Sequence, residues 1–233
     1  MHSSSNSESP TNVRVAGPSE TPQTEVWKGE FGREYTDRNT FDVAALDSLY
    51  QKNYGITRTL INQKFLGPIS KESSFLEVGC NTGNQLILLR QMGYPNLSGI
   101  ELQPYALEIA RARTRNISLA QGSVLSIPYA DALFDVVFTS GVLIHIAPSD
   151  LPRAMDEIHR CARTFIWGME YYAPKLTRVN YRSHSDLLWK RDFAECYLQR
   201  FDDLELVREQ RLPYVEGSNE DTVFLLKKKQ RPI

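Results

Sequence analysis

The stretch SFLEVGCNTGNQLILLRQMG, Ser74 to Gly93, decides the fold. A short apolar run (Phe75, Leu76, Val78) breaks into Gly79-Cys80-Asn81-Thr82-Gly83. A helical pattern that turns Leu86 and Leu89 inward follows at once and closes at Gly93. Strand, glycine-rich turn and helix in that order form the opening unit of a nucleotide-handling α/β domain. Gly79 and Gly83 let the backbone turn tightly and approach a ligand more closely than a Cβ permits. A plain βα turn in another α/β protein has the same look, so the flanking sequence has to carry the assignment.

Downstream, LSGIEL (Leu97 to Leu102) reads as a strand ending in Glu101, 18 residues past Gly83. An acidic residue at about that spacing suits a ribose, because a carboxylate accepts two hydrogen bonds from a vicinal diol. Pro104 opens a helix to about Arg115, and the helix dipole alone accounts for Arg111, Arg113 and Arg115 near its end. Ile117 to Ala130 holds a third strand and a loop with Gly122 and Ser123. From Phe134 a continuous apolar run marks a strand buried on both faces, ending at Thr139, Ser140 and Gly141 ahead of His145. Asp150 and Pro152 open another helix, and Thr164 to Tyr172 is the next central strand. Glu170 to Phe201 is rich in Tyr, Arg and Lys, with Asp192 and Glu195 spaced as a capping box. Leu204 to Tyr214 and Asp221 to Lys229 read as an antiparallel closing hairpin.

Upstream, Phe41 to Phe65 is mostly helical with a break at Gly55. In Glu25 to Asn39, Trp27, Phe31 and Tyr35 fall on one helical face, but Gly29 and Gly32 make it a poor autonomous helix. It is either an arm packed on the domain or a cap whose Trp27, Tyr35 and Arg38 help to close a ligand site. Met1 to about Pro22 is Ser-, Pro- and Thr-rich and is expected to be disordered.

Strand–helix alternation up to Tyr172 makes a mostly parallel doubly wound sheet the economical fold, with sites at the carboxyl ends of its strands. The expected organisation is a disordered extension over 1–23, a helical cap over 24–66 and a catalytic domain over 67–233, with a substrate-facing insertion at about 171–192. With 27 basic against 28 acidic residues, the net charge of -1 disfavours a nucleic-acid partner. Nothing approaches a membrane-spanning run or a signal segment, so the expected location is cytoplasmic. Cys80, Cys161 and Cys196 are widely spaced without a CxxC, which points to free thiols and no metal site.

The chain resembles the class I S-adenosylmethionine-dependent methyltransferases. Glu77-Val78-Gly79-Cys80-Asn81-Thr82-Gly83 matches their glycine-rich first motif, Glu101 falls at their ribose-binding acid and Gly122-Ser123 in the loop that flanks adenine. Gly141-Val142-Leu143-Ile144-His145 matches the segment after their fourth strand, and the closing strands fit their reversed hairpin. A narrower likeness runs through Trp27 to Asn39, Glu170-Tyr171-Tyr172, Tyr181 to His184 and Lys190 to Ala194. There the chain looks like methylases associated with pseudaminic acid biosynthesis.

The resemblance implies a Rossmann-like, seven-stranded, mostly parallel α/β fold and S-adenosyl-L-methionine as cofactor. Implied cofactor contacts are Glu77, Gly79, Cys80, Asn81, Gly83, Glu101, Leu102, Gly122, Ser123, Val124, Ser140 and Gly141, with Trp27, Tyr35 and Arg38 from the cap. Where this family commonly has an acid near adenine, this chain has the neutral Ser123. Methyl transfer to an N or O atom of a small polar acceptor is implied, with His145 as leading base, His184 second and Tyr181 beside them. Glu170, Tyr171, Tyr172 and Arg182 are the acceptor-binding candidates. Competing readings are an NAD-dependent oxidoreductase, an RNA or protein methyltransferase, and a non-catalytic scaffold. A monomer or homodimer is expected.

Overall fold

The computed structural model describes residues 20–229. The extension expected to be disordered therefore lies almost wholly outside the described residues.

Four helices precede the sheet: α1 (Pro22–Lys28), α2 (Glu30–Arg38), α3 (Val43–Tyr54) and α4 (Arg58–Leu66). The first starts just ahead of the expected onset of order at Thr24, because Thr21 and Thr24 cap it reciprocally. The break expected at Gly55 separates α3 from α4, Gly55 adopting the left-handed conformation of a helix C-cap.

Then follow β1 (Phe75–Val78), α5 (Asn84–Gln91), β2 (Leu97–Glu101), α6 (Pro104–Arg113), β3 (Ser118–Gln121) and β4 (Phe134–Ser140). A single 3-10 turn, Leu143–His145, leads to α7 (Leu151–Cys161) and β5 (Ala162–Tyr171). Two-residue strands β6 (Thr177–Arg178) and β7 (Trp189–Lys190) pair with each other, and α8 (Phe193–Arg200), β8 (Leu204–Pro213) and β9 (Glu220–Lys228) complete the chain. The main sheet has the order β3-β2-β1-β4-β5-β9-β8, parallel through β5 and antiparallel from β9. The expected mostly parallel, seven-stranded α/β fold with a reversed closing hairpin is the observed one. Of the capping box expected at α8, only one half forms: Asp192 accepts from the Glu195 amide, while the Glu195 side chain bonds Gln199.

Side-chain alternation explains why β4 reads as continuously apolar. Val136 and Phe138 pack with Phe65, Leu86, Leu89 and Trp167 under α4 and α5. Val137, on the opposite face, packs with Met155, Ile158, Phe193 and Tyr197 under α7 and α8. In the β5–β9 pair, Gly168 lies opposite Phe224. A Cβ at Gly168 would come 2.2 Å from a ring carbon of Phe224, so the ring occupies the space that a side chain would need.

Candidate active site

The carboxyl ends of β1, β2 and β4 and the loop after β3 surround a cavity of about 270 Å³ roofed by α1 and α2. Gly79 turns the chain out of β1 with φ +75, and a Cβ there would sit 2.7 Å from a Val142 methyl. Only glycine suits that corner. Glu101 fixes the loop: its Oε2 accepts from the Asn81 amide at 2.8 Å and its Oε1 from the Gln103 amide at 2.8 Å. Burial still raises the Glu101 carboxyl above its ordinary value, against these bonds.

Of the expected cofactor residues, Trp27, Tyr35, Glu77, Gly79, Cys80, Asn81, Glu101, Leu102, Gly122, Ser123, Val124, Ser140 and Gly141 line this cavity together. Gly83 does not. It is the left-handed N-cap of α5, φ +79, packed toward Thr114, the C-cap of α6. Arg38 does not either; it faces a second cavity and pairs with Glu34 at 3.4 Å. The Ser123 hydroxyl accepts from the Leu125 amide, holding its own turn.

The arm between cap and domain is set by a residue the sequence pattern did not flag. Gln103, buried at the start of α6, directs its Nε2 at the carbonyls of Trp27, Lys28 and Gly29, 3.3, 2.6 and 3.1 Å away. Arg113 also has more to do than complement a helix dipole. Its guanidinium bonds Thr82, Asn84 and the Phe41 carbonyl, tying the glycine loop to the cap. Neither role has a local sequence signal, because both bonds span distant parts of the chain.

Trp27, Phe31 and Tyr35 form an edge-to-face cluster, and the Trp27 ring lies 4.5 Å from that of His145. His145 Nδ1 donates to the Leu187 carbonyl at 2.6 Å, which leaves Nε2 unprotonated in the neutral ring. Burial pushes its pKa down to about 4, against that bond. The imidazole is therefore neutral at physiological pH.

Past His145 lies a second cavity of about 430 Å³. Tyr35, Tyr50, Ser140, Gly141 and His145 belong to both, so the two chambers meet there. Tyr171, Tyr181, Arg182 and Glu170 line the second chamber, as do Tyr54, Tyr214 and Asp221, which sequence reasoning missed. Glu170 is already engaged by the protein. Its two oxygens accept from the Val142 and Ile144 amides, clamping the loop after β4, while burial raises its pKa to about 7. Tyr172 turns away from both cavities beneath the Arg211 guanidinium, and its amide pairs with the Glu220 carbonyl. His184 also lies outside both cavities. It is exposed at the tip of the Tyr181–His184 turn, against Phe31 at 5.2 Å.

Among the described residues no cluster of His, Cys, Asp and Glu could hold a metal ion. No helix among them is long and apolar enough to cross a membrane. Three buried polar atoms at the first cavity lack a partner: Glu77 Oε2, Asn81 Oδ1 and the Trp27 indole N–H. Two acceptors and one donor left open beside a Glu101-anchored loop fit a ligand with an ammonium and hydroxyls. That set matches S-adenosylmethionine, whose methionyl tail carries the ammonium and whose ribose carries the diol.

Comparison with known proteins agrees. Residues 76–164 match the methyltransferase domain family. A protein of Encephalitozoon cuniculi assigned as a methyltransferase is 26% identical over 145 residues, 59% of this chain and 62% of that one. The malonyl-acyl-carrier-protein O-methyltransferase of Serratia marcescens is 30% identical over 105 residues, 44% of this chain and 40% of that one. The chain thus spans between 40% and 62% of the length of these two relatives. The Burkholderia thailandensis 1,6-didemethyltoxoflavin-N1-methyltransferase, solved with 1,6-didemethyltoxoflavin and S-adenosylhomocysteine, superposes with a TM-score of 0.67 at 18% identity. That match covers 93% of this chain and 94% of the other.

Proposed function

We propose that this chain is a class I S-adenosylmethionine-dependent methyltransferase that passes the methyl group to an N or O atom of a small polar molecule held in the second chamber. The carrying observation is the two-chambered cavity, joined at Ser140, Gly141 and His145 and closed on the cofactor side by the aromatic arm. A tyrosine-lined concave chamber of about 430 Å³ suits a small acceptor better than a nucleic-acid strand or a protein segment. The likeness to methylases of pseudaminic acid biosynthesis directs the reading further, to amino sugars, nucleotide sugars and natural-product intermediates.

When bound, S-adenosylmethionine supplies a sulfonium-activated methyl group for in-line displacement. Glu101 would hold its ribose hydroxyls, Glu77 and Asn81 the ammonium of its methionyl tail, and Leu102, Ser123 and Val124 its adenine. The arm excludes water above the junction, and Tyr35 and Trp27 narrow the passage. His145 stands at that junction with Nε2 free to accept the proton of a hydroxyl or ammonium acceptor. Its Leu187 bond fixes the tautomer and the ring plane.

Calorimetric titration with S-adenosylhomocysteine, with NAD as control, tests the reading. Binding of the first and not the second is expected; binding of neither removes it. A second expectation concerns the arm. Gln103→Ala frees three backbone carbonyls from their common donor and should weaken S-adenosylhomocysteine about tenfold, mainly through faster dissociation. Stopped-flow measurement checks this, and an unchanged dissociation rate would mean that the arm does not retain the ligand.

A further inference from the structure

Asp221 begins the inner end of β9, two residues before Val223, on the sheet face covered by the N-terminal helices. It is 5% exposed and lines the second chamber. Tyr54 donates to its Oδ2 at 2.8 Å, and the Tyr214 hydroxyl stands 2.9 Å behind that of Tyr54. Tyr54 has one proton; with it on Asp221, Tyr214 donates to Tyr54 and the relay is complete. Oδ1 has no hydrogen-bond partner, the one such buried side-chain atom among the described residues that line this chamber.

Two cations act on Asp221 without bonding it. Arg58 bonds Asn62, Tyr50 and Ser140 through Nε and Nη1 and leaves its buried Nη2 without a partner, while Lys190 bonds Asn219. Burial lifts the Asp221 carboxyl to about 7, against the pull of Tyr54, Arg58 and Lys190. The other carboxylate of the chamber, Glu170, is held by backbone amides. A buried carboxylate with one oxygen unmet and a full relay behind the other is a receptor for a donor. A cationic donor answers it best, since it offsets the buried charge as well as the open lone pair.

We propose that Asp221 is the acceptor-recognition residue, taking a protonated amine of the methyl acceptor on Oδ1. This rests on the methyl-transfer reading and narrows its substrate class to aminated small molecules. The amine at Asp221 is an anchor and need not be the atom methylated.

The test is saturation-transfer NMR on the full chain loaded with S-adenosylhomocysteine. Its probes are D-glucosamine against D-glucose, and glucosamine 6-phosphate against glucose 6-phosphate. The aminated member of each pair should bind about tenfold more tightly or better, the size of one buried charge-assisted hydrogen bond. Asp221→Asn should bring the ratio to about one while S-adenosylhomocysteine affinity holds. Equal binding within both pairs, a preference that survives Asp221→Asn, or no aminated sugar bound at about 10 mM overturns the proposal. The wild-type pairs decide even without the variant. Titration of the same samples with S-adenosylhomocysteine separates the two levels: no affinity sinks the methyltransferase reading, whereas affinity without amine preference sinks only the role of Asp221.

Discussion

Glu101→Gln should weaken S-adenosylhomocysteine binding about a hundredfold or more without unfolding the protein. The carboxylate has two jobs in the same place. It accepts the Asn81 and Gln103 amides at 2.8 Å each, shaping the glycine loop, and its remaining lone pairs face the cavity. A glutamine keeps the shape but offers one carbonyl; its NH2 meets an amide N–H that it cannot accept from. Hydrogen bonds to a charged group contribute about 1.5–3 kcal/mol each, and the loss of two spans the predicted range. The fold should tolerate the change, because burial already raises the Glu101 carboxyl and a neutral side chain relieves that desolvation. Calorimetry gives the affinity and a thermal melt the stability. A variant that binds as tightly as the wild type would remove Glu101 from the cofactor site.

Asp221→Asn is expected to raise stability, and only above acidic pH. Free aspartate titrates near 3.8, and in the folded protein burial raises Asp221 to about 7. Between those values the native state holds a proton that the unfolded chain releases, so this residue lowers stability as pH rises from about 4 to about 7, and the loss is complete above. The displacement corresponds to an effect of order 4 kcal/mol, or about 8–16 °C in melting temperature for a chain of this size. Asparagine carries no such linkage. The variant should match the wild type near pH 4 and melt well above it at pH 8. Glu170 (raised to about 7) acts with the same sign and His145 (lowered to about 4) with the opposite one. Both are present in the two proteins and cancel in the difference. Calorimetric scans at the two pH values decide it; a variant no more stable than wild type at pH 8 would show that Asp221 is already compensated.

What the sequence made legible follows from the range of the forces. The βα turn at Gly79, the doubly buried β4 and the closing hairpin are local patterns, and each is found where its periodicity put it. Glu101 was legible because spacing along a strand–helix unit is fixed by that unit's length. Asp221 and Tyr54 were not, since their bond spans the whole domain and neither has a marked neighbourhood. Glu170 and His184 were legible as polar residues near the right edge. Their side-chain directions were not, since these depend on which amides and rings fold back upon them. Tyr172, one residue past the end of β5, packs beneath the Arg211 guanidinium, a contact between distant parts of the chain.

The opposition of Gly168 and Phe224 reaches beyond this one molecule. Because the Phe224 ring stands where a Cβ of residue 168 would be, the two positions draw on a single volume. Neither can enlarge alone. A lineage that acquires alanine or serine at 168 must first trade the phenylalanine for something smaller, through an intermediate with a void in the sheet core. The two sites, 56 residues apart in the chain, are therefore bound to drift as a pair.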